Sequence, residues 1–362
     1  MRDKAKLCII IGTRPEVIKM APIIWECKEN SLEYFVINTG QHYEHSMCEL
    51  LFRELKLEKP KYHLKIELTS PERQVGSMIF EIQQILEYED PDIVFVQGDT
   101  NSVLAGALAA LKKKIKVAHI ESGIRSFDYT MVEENNRIVT DHISTLLFAP
   151  TKIAVTNLLN EGIDKGKIFL TGNTIVDSII NCSKIAATRS TILTQLNLEK
   201  KKYILATAHR PENVDKKTNF LRILEGLQRV QKDFEMPVVF PVHHRSRERL
   251  KEYSVDNMKN LSFIPPLGFF DFLHIESNSK LIITDSGGIQ EESCTLQVPC
   301  VTIRNNTERP ETVQLGMNQL AGTDPQKILS CSQKAISSKI SWVNPFGDGL
   351  AGKRIIKHYL DF

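Results

Sequence analysis

Short apolar runs alternate with helical stretches along nearly the whole of this 362-residue chain, and that alternation constrains the fold more than any single motif. Leu7–Ile11 reads as a buried strand, and a helix follows from Pro15 to Glu29. Pro15 suits the first helical position, where a missing N–H costs nothing. The strand Tyr34–Asn38, helical segments near Glu44–Leu57 and Arg73–Tyr88, and the strand Ile93–Gln97 continue the series. Next come the small-residue helix Ser102–Lys112, the strand Val117–Ile120, a helix from Asn135 and a short strand near Leu146–Ala149. Short strands alternating with helices of about 10–15 residues are βαβ units of a parallel sheet. A polar, irregular stretch near Thr188–Lys202 separates a second such series. Its strands are Tyr203–Thr207, Pro237–Pro241, Leu281–Thr284 and Pro299–Ile303. The expected fold is therefore α/β, with two halves hinged near Gly172–Thr174 and a cleft between them. A turn at Asn344–Gly349 precedes a last helix ending at Phe362.

Composition narrows the partners. Lys and Arg number 46 against 44 Asp and Glu, a net charge of +2, which gives no electrostatic reason to expect nucleic acid or an anionic membrane. The runs Lys112–Lys114 and Lys200–Lys202 sit beside element ends and read as solvated turns. No apolar stretch approaches the ~20 residues of a membrane-spanning helix, and the N-terminal apolar run is too short for a secretory signal. Seven cysteines, an odd number with no C-x-x-C pair, fit a reducing compartment, the cytoplasm.

In open α/β sheets ligands bind beyond the carboxyl ends of the strands, and the polar residues of this chain gather there. Gly12-Thr13-Arg14-Pro15-Glu16 ends the first strand, with Lys19 one turn into the helix. The glycine lets backbone N–H groups approach an anion, and Arg14 adds a guanidinium fork; the alternative is a capping turn with surface charges. The stretch Asp285-Ser286-Gly287-Gly288 opens a helix and is the better phosphate site. Glu292 lies on the same face as Gly288 and is placed to accept ribose hydroxyls, whereas a plain Ser N-cap is the competing reading. Asp99, Glu121, and Glu133 with Glu134 place carboxylates at strand and loop ends, where burial and mutual repulsion tune them for acid–base work. Capping explains Asp99 and Glu134 singly but not Glu121. His209-Arg210 at a strand end suits a pyrophosphate, with a solvated polar loop as the alternative. His243-His244 lacks neighbours for a metal site, and His119 inside a strand reads as a satisfied core histidine.

In this order these segments resemble the non-hydrolysing UDP-N-acetylglucosamine 2-epimerases: GTRPEVIKMAP (12–22), TGQHY (39–43), QGDTNSVLAGALAA (97–110) and HIESGIRSFD (119–128). EENNR (133–137), FAPT (148–151), GNTIVDS (172–178), AHRPENVD (208–215), TDSGGIQEES (284–293), TERPE (307–311) and NPFGDG (344–349) complete the set. The resemblance implies two Rossmann-like domains around a central cleft, similar to the type-B glycosyltransferase fold. Residues 1–172 would form the first, completed by the helix 348–362, and residues 173–347 the second, UDP-binding one. It implies reversible epimerisation at carbon 2, giving UDP-N-acetylmannosamine through UDP elimination, a 2-acetamidoglucal and re-addition. Asp99, Glu121 and Glu133 would be the acid–base carboxylates, and His209 would assist the leaving UDP. Arg14, Lys19, Phe272, Ser286, Gly287, Gly288, Glu292 and Arg309 would hold the nucleotide. Gln41, His42, Arg73, Gln74, Arg210 and His243 match an allosteric site for a second UDP-sugar. No metal and no cofactor are implied, and a homodimer is the family's habit.

The chain departs from the family pattern in places. Met131-Val132 stands where many members have proline before the Glu pair, Asn135-Asn136 and Ser122 are unusual, and Glu44 falls in the allosteric stretch. The sibling reading is a 2-epimerase of another UDP-2-acetamido sugar, a diacetamido uronic acid or a deoxy sugar. A UDP-sugar glycosyltransferase, a hydrolysing relative and a non-enzymatic UDP-sugar sensor are the further alternatives.

Overall fold

The computed structural model describes residues 5–41, 45–66, 71–255, 258, 261–338 and 341–362, and the chain divides into two compact units. The first comprises Met1–Ser178 and Phe346–Phe362, and the second Ile179–Pro345. The change-over falls within the helix Thr174–Arg189.

The sheet of the first unit is built from β1 (Lys6–Ile11), β2 (Glu33–Asn38), β3 (Tyr62–His63), β4 (Ile93–Gln97), β5 (Lys116–Ile120), β6 (Leu146–Ala149) and β7 (Ile168–Leu170). Its strand order is β3-β2-β1-β4-β5-β6-β7, with parallel pairing throughout. The second unit contributes β8 (Ile204–Thr207), β9 (Val238–Pro241), β10 (Leu261–Ile264), β11 (Leu281–Thr284), β12 (Cys300–Thr302) and β13 (Asn318–Leu320). Their order is β10-β9-β8-β11-β12-β13, again parallel. Each sheet reverses direction once, between β1 and β4 and between β8 and β11, and such a reversal leaves a crevice outside the strand ends. The structure is α/β, as the alternation of runs requires.

Four strands escape the sequence reading: β3, β7, β10 and β13. All four are sheet edges. An edge strand is covered less completely, so it carries no unbroken apolar run of the kind that marks a central parallel strand. Tyr62–His63 and Ile168–Leu170 are accordingly half-buried or exposed, whereas β4 is buried along its whole length.

Alanine and glycine on the helix Asn101–Lys112 let it lie close on the sheet. A Cβ at Gly106 would stand 2.7 Å from Cδ1 of Ile10. The last helix, Ala351–Asp361, belongs to the first unit and packs against the helix Arg14–Glu29, where a Cβ at Gly352 would come within 2.9 Å of the Cβ of Pro22. Its N-terminus is anchored by Asp177, which accepts from the N–H groups of Ala351 (3.2 Å) and Gly352 (2.9 Å). Burial lifts the Asp177 carboxyl to about 6, against the opposing effect of these N–H groups. The free cysteines Cys8, Cys27, Cys182, Cys294 and Cys300 are buried as small apolar side chains. No helix among the described residues is long and apolar enough to cross a membrane.

Candidate active site

In the first unit the strand ends hold carboxylates, and Glu121, Asp99 and Glu134 are each gripped by a basic or amide side chain. Glu121 follows β5 with a left-handed backbone (φ 69°), a conformation that a non-glycine residue adopts at some cost and that recurs at functional sites. Its backbone N–H donates to the carbonyl of Phe148 (3.1 Å), which fixes the turn. Lys19 Nζ reaches its Oε2 at 2.6 Å, and the Gln97 amide donates to the same oxygen. Lys19 is thus buried against Glu121, 102 positions away. Asp99 follows β4 and Gly98, and it pairs with Arg137, whose other nitrogen pairs with Glu134. Glu134 is fully buried and also accepts from the backbone N–H groups of Ser126 (3.0 Å) and Phe127 (2.8 Å). Glu133, beside it in the first turn of the helix Val132–Ile143, is exposed. Of the Glu pair, then, Glu134 is spent on holding the loop and Glu133 is accessible. That helix starts at Met131 without a side-chain cap, as expected where no capping residue precedes it.

His119 is the satisfied core histidine anticipated from its place in β5. It is fully buried, with Nδ1 at 2.6 Å from Asp141 and Nε2 at 2.8 Å from the carbonyl of Gly98. That second contact supports the backbone immediately before Asp99.

At the end of β1 the capping turn, the alternative kept open for this segment, is formed. The N–H groups of Gly12 and Thr13 do not wait for an external anion, because both donate to the carboxyl of Glu16. Thr100 Oγ1 donates to the other Glu16 oxygen at 2.5 Å. Gly12 is required for packing: a Cβ there would meet Ser102 Oγ at 2.0 Å and Thr39 Oγ1 at 2.4 Å. Glu16 therefore ties the ends of β1 and β4 together. Burial lifts it to about 7; its hydrogen bonds work against that lift, and the charge of Asp99 adds to it. Glu16 was missed as a site residue, although Thr13-x-x-Glu16 is a readable capping-box spacing.

In the second unit Asp285, fully buried after β11, takes the corresponding place. It accepts from the backbone N–H groups of His209 (3.0 Å) and Arg210 (3.0 Å) and from the Asn213 amide (3.1 Å), while His209 Nδ1 lies 2.8 Å from its Oδ1. Burial pushes Asp285 up, but the His209 contact and the N–H donors outweigh it and hold the carboxyl below its usual range. His209 is thereby oriented through Nδ1, with its ring 5.6 Å from that of His243. Ser286 caps the helix Gly287–Thr295, accepting from the N–H of Ile289 at 3.5 Å. A Cβ at Gly287 would stand 3.6 Å from Glu308 Oε2 and 4.0 Å from Cζ of Arg309. A Cβ at Gly288 would stand 3.7 Å from Glu292 Oε1, so Glu292 does share its face with Gly288. Arg309 is buried with Nε 2.5 Å from Glu291 Oε1. Glu308 is held well below the usual range: burial opposes this, but Arg304 and then Arg210 and Arg309 outweigh it. Phe272 lies half-buried on the helix Phe269–Asn278.

The positions matched to an allosteric site are spread over both units. Gln41, after β2, accepts from Ser102 N–H (3.1 Å) and lies 2.6 Å from its Oγ. Arg73 is exposed and Gln74 half-buried on the helix Pro71–Glu89, and Arg14 is half-buried after β1. Arg210 donates through Nε to the Asp285 carbonyl (3.1 Å), and His243 caps the helix His244–Glu252. His42 and Glu44 lie outside the described residues. Among the described residues no group of three or more His, Cys, Asp or Glu side chains is arranged to hold a metal.

The sequence profile of the family described as UDP-N-acetylglucosamine 2-epimerase matches residues 26–360. The chain belongs to this family. Two archaeal relatives bear the name UDP-N-acetylglucosamine 2-epimerase. The chain is 47% identical to the one from Methanocaldococcus jannaschii over 358 residues, covering 97% of this chain and 98% of the relative. It is 48% identical to the one from Methanococcus maripaludis over 357 residues, covering 97% of each. The crystal structure of the M. jannaschii enzyme in complex with UDP-GlcNAc and UDP is similar at a TM-score of 0.92 and 46% identity, covering 99% of this chain and 100% of that one.

Proposed function

We propose that this protein interconverts UDP-N-acetylglucosamine and UDP-N-acetylmannosamine without hydrolysis. The observation that carries the reading is the near-complete match to an epimerase whose solved structure holds UDP-GlcNAc and UDP. The strand-end carboxylates of the first unit support it chemically. In the forward direction a carboxylate removes the proton from carbon 2, the C1–O bond breaks, and UDP leaves with that electron pair to give 2-acetamidoglucal. Return of UDP to carbon 1, with a proton delivered to the other face of carbon 2, completes the inversion. Asp99, Glu121 and the exposed Glu133 are the candidates for the two proton transfers. His209, held by Asp285, donates to the departing phosphate. Lys19, the cation beside Glu121, and Arg14 contribute to holding the nucleotide.

In the second unit, the helix N-terminus at Ser286–Gly288 and Arg309 take the diphosphate, Glu292 the ribose and Phe272 the base. Gln41, His42, Arg73, Gln74, Arg210 and His243 are the candidate regulatory positions. We assign the enzyme to the cytoplasm, as a homodimer acting on a free nucleotide sugar.

Proton NMR of the purified protein with UDP-N-acetylglucosamine in D2O, without divalent metal, tests the reading. The expected product is the manno epimer still joined to UDP and carrying deuterium at carbon 2. Free N-acetylmannosamine identifies a hydrolysing enzyme instead. No exchange at all overturns the assignment, and a panel of UDP-2-acetamido sugars then names the substrate.

A further inference from the structure

Glu276 stands on the helix Phe269–Asn278, one turn after Phe272 and fully buried. Neither of its carboxyl oxygens has a hydrogen-bond donor among the described residues. The side chain within hydrogen-bonding reach is the carboxyl of Glu292, on the helix Gly287–Thr295. The buried Cys300 thiol lies near enough to feel the charge of Glu276, and burial lifts that thiol to about 12, so it supplies no charge to compensate a carboxylate.

Two carboxyls in contact away from water cannot both ionise, and one proton stays between them. Glu276 has no exposed surface, while Glu292 is half-buried, so the charge resides on Glu292 and the proton on Glu276. Burial, followed by the charge of Glu292, accordingly holds Glu276 well above the ordinary carboxylate range. A buried carboxyl with no other partner is an expensive way to fill a core position that an apolar side chain would fill at least as well. Its presence against a candidate ligand-binding carboxylate calls for a role in holding that carboxylate.

We propose that Glu276 is a positioning residue for the nucleotide. It donates its proton to Glu292 and so presents Glu292 as a fixed, charged acceptor for the vicinal hydroxyls of a ribose. This rests on the reading that the second unit binds UDP. The O–H of Glu276 occupies one lone pair of Glu292 and leaves the others free to accept from two hydroxyls.

The test compares UDP with 2′,3′-dideoxy-UDP, by titration calorimetry, on the wild type and on Glu276→Gln and Glu276→Met. The wild type is expected to prefer UDP. Glu276→Gln keeps a donor and is expected to retain that preference. Glu276→Met removes the donor and is expected to weaken UDP binding about tenfold, the scale of one hydrogen bond to a charged group, with dideoxy-UDP unchanged. Equal loss for both nucleotides, or no loss for either, overturns the proposal, as does a wild type indifferent to the ribose hydroxyls. A wild type that binds neither nucleotide removes the UDP reading itself and this proposal with it. Infrared spectroscopy at neutral pH supplies an arm independent of Glu276→Met folding. In the wild-type-minus-Glu276→Gln difference spectrum a carbonyl band of a buried neutral carboxylic acid is expected, the band of the partly protonated Glu16 cancelling because both proteins share it; absence of that difference band overturns the proposal.

Discussion

The same topological place holds a buried carboxyl in each unit, and the two carboxyls behave in opposite ways. At the reversal between β1 and β4, Glu16 collects the N–H groups of Gly12 and Thr13 and the hydroxyl of Thr100. At the reversal between β8 and β11, Asp285 collects the N–H groups of His209 and Arg210, the Asn213 amide and the His209 ring. Each ties two strand ends together across the switch point. Among the described residues Glu16 has only neutral dipoles as hydrogen-bond donors and a carboxylate, Asp99, nearby; burial wins and the group is lifted to about 7. Asp285 has an imidazole against it as well, and the balance reverses. A strand-end carboxyl is thus a neutral clamp or a charged orienting group according to whether a basic side chain joins the dipoles.

Four substitutions bear on this contrast. Glu121→Gln should have the largest effect, lowering turnover by about 10²–10⁴-fold while leaving UDP affinity largely intact, because Glu121 is assigned to the proton transfers at carbon 2 and most of the nucleotide contacts to the second unit. Rates from the D2O exchange experiment and a UDP titration read the two quantities, and a variant that keeps wild-type turnover removes Glu121 from the acid–base set.

Asp285→Asn and Glu16→Gln then set the two clamps side by side. Donors face both oxygens of Asp285, so either orientation of the new amide turns its NH2 toward an N–H. That exchange should cost about 2–3 kcal/mol in urea unfolding at pH 7, together with loss of the His209 orientation and of turnover. Glu16→Gln should cost about 1 kcal/mol or less, because the amide oxygen accepts from Gly12 and Thr13 while its NH2 donates to the Thr100 hydroxyl. Equal losses from the two substitutions would erase the contrast.

The pH dependence sharpens it. A carboxyl lifted from 4.5 to about 7 in the folded state gives stability that is complete below pH 4.5 and lost as the pH rises through 7. The wild-type unfolding free energy should therefore carry a downward component between pH 4.5 and 7, at most roughly 3 kcal/mol, that Glu16→Gln abolishes. Asp285 works in the other direction. Its contribution is present above the unfolded carboxylate range and fades as the pH falls through its lowered folded value.

The smallest effect belongs to Ser286→Ala, which removes the N-cap of the helix Gly287–Thr295 at a cost of about 1 kcal/mol in stability, with a matching rise in the KM for the UDP-sugar. A larger loss of nucleotide affinity than of stability would place the Ser286 hydroxyl on the phosphate itself.

Much of this molecule is written locally in the chain. The central strands, the small-residue helix Asn101–Lys112, the Ser286 cap and the buried His119 all follow from apolar runs and residue size at fixed spacings, because a doubly covered parallel strand excludes polar side chains wherever it lies. The edge strands are not legible this way, since half their surroundings are not core. The ownership of each charge is not legible either. Lys19, in the loop-and-helix segment read as an anion site, belongs to Glu121; Glu134 belongs to the Ser126–Phe127 loop and Arg137; Gly12 and Thr13 donate to Glu16. The sequence by itself determined two parallel α/β sheets with polar strand ends. Tertiary structure alone decided which carboxyls are buried clamps, which are paired with a basic side chain and which are exposed, because those states depend on burial and on partners as much as 102 positions away, and no local pattern encodes them.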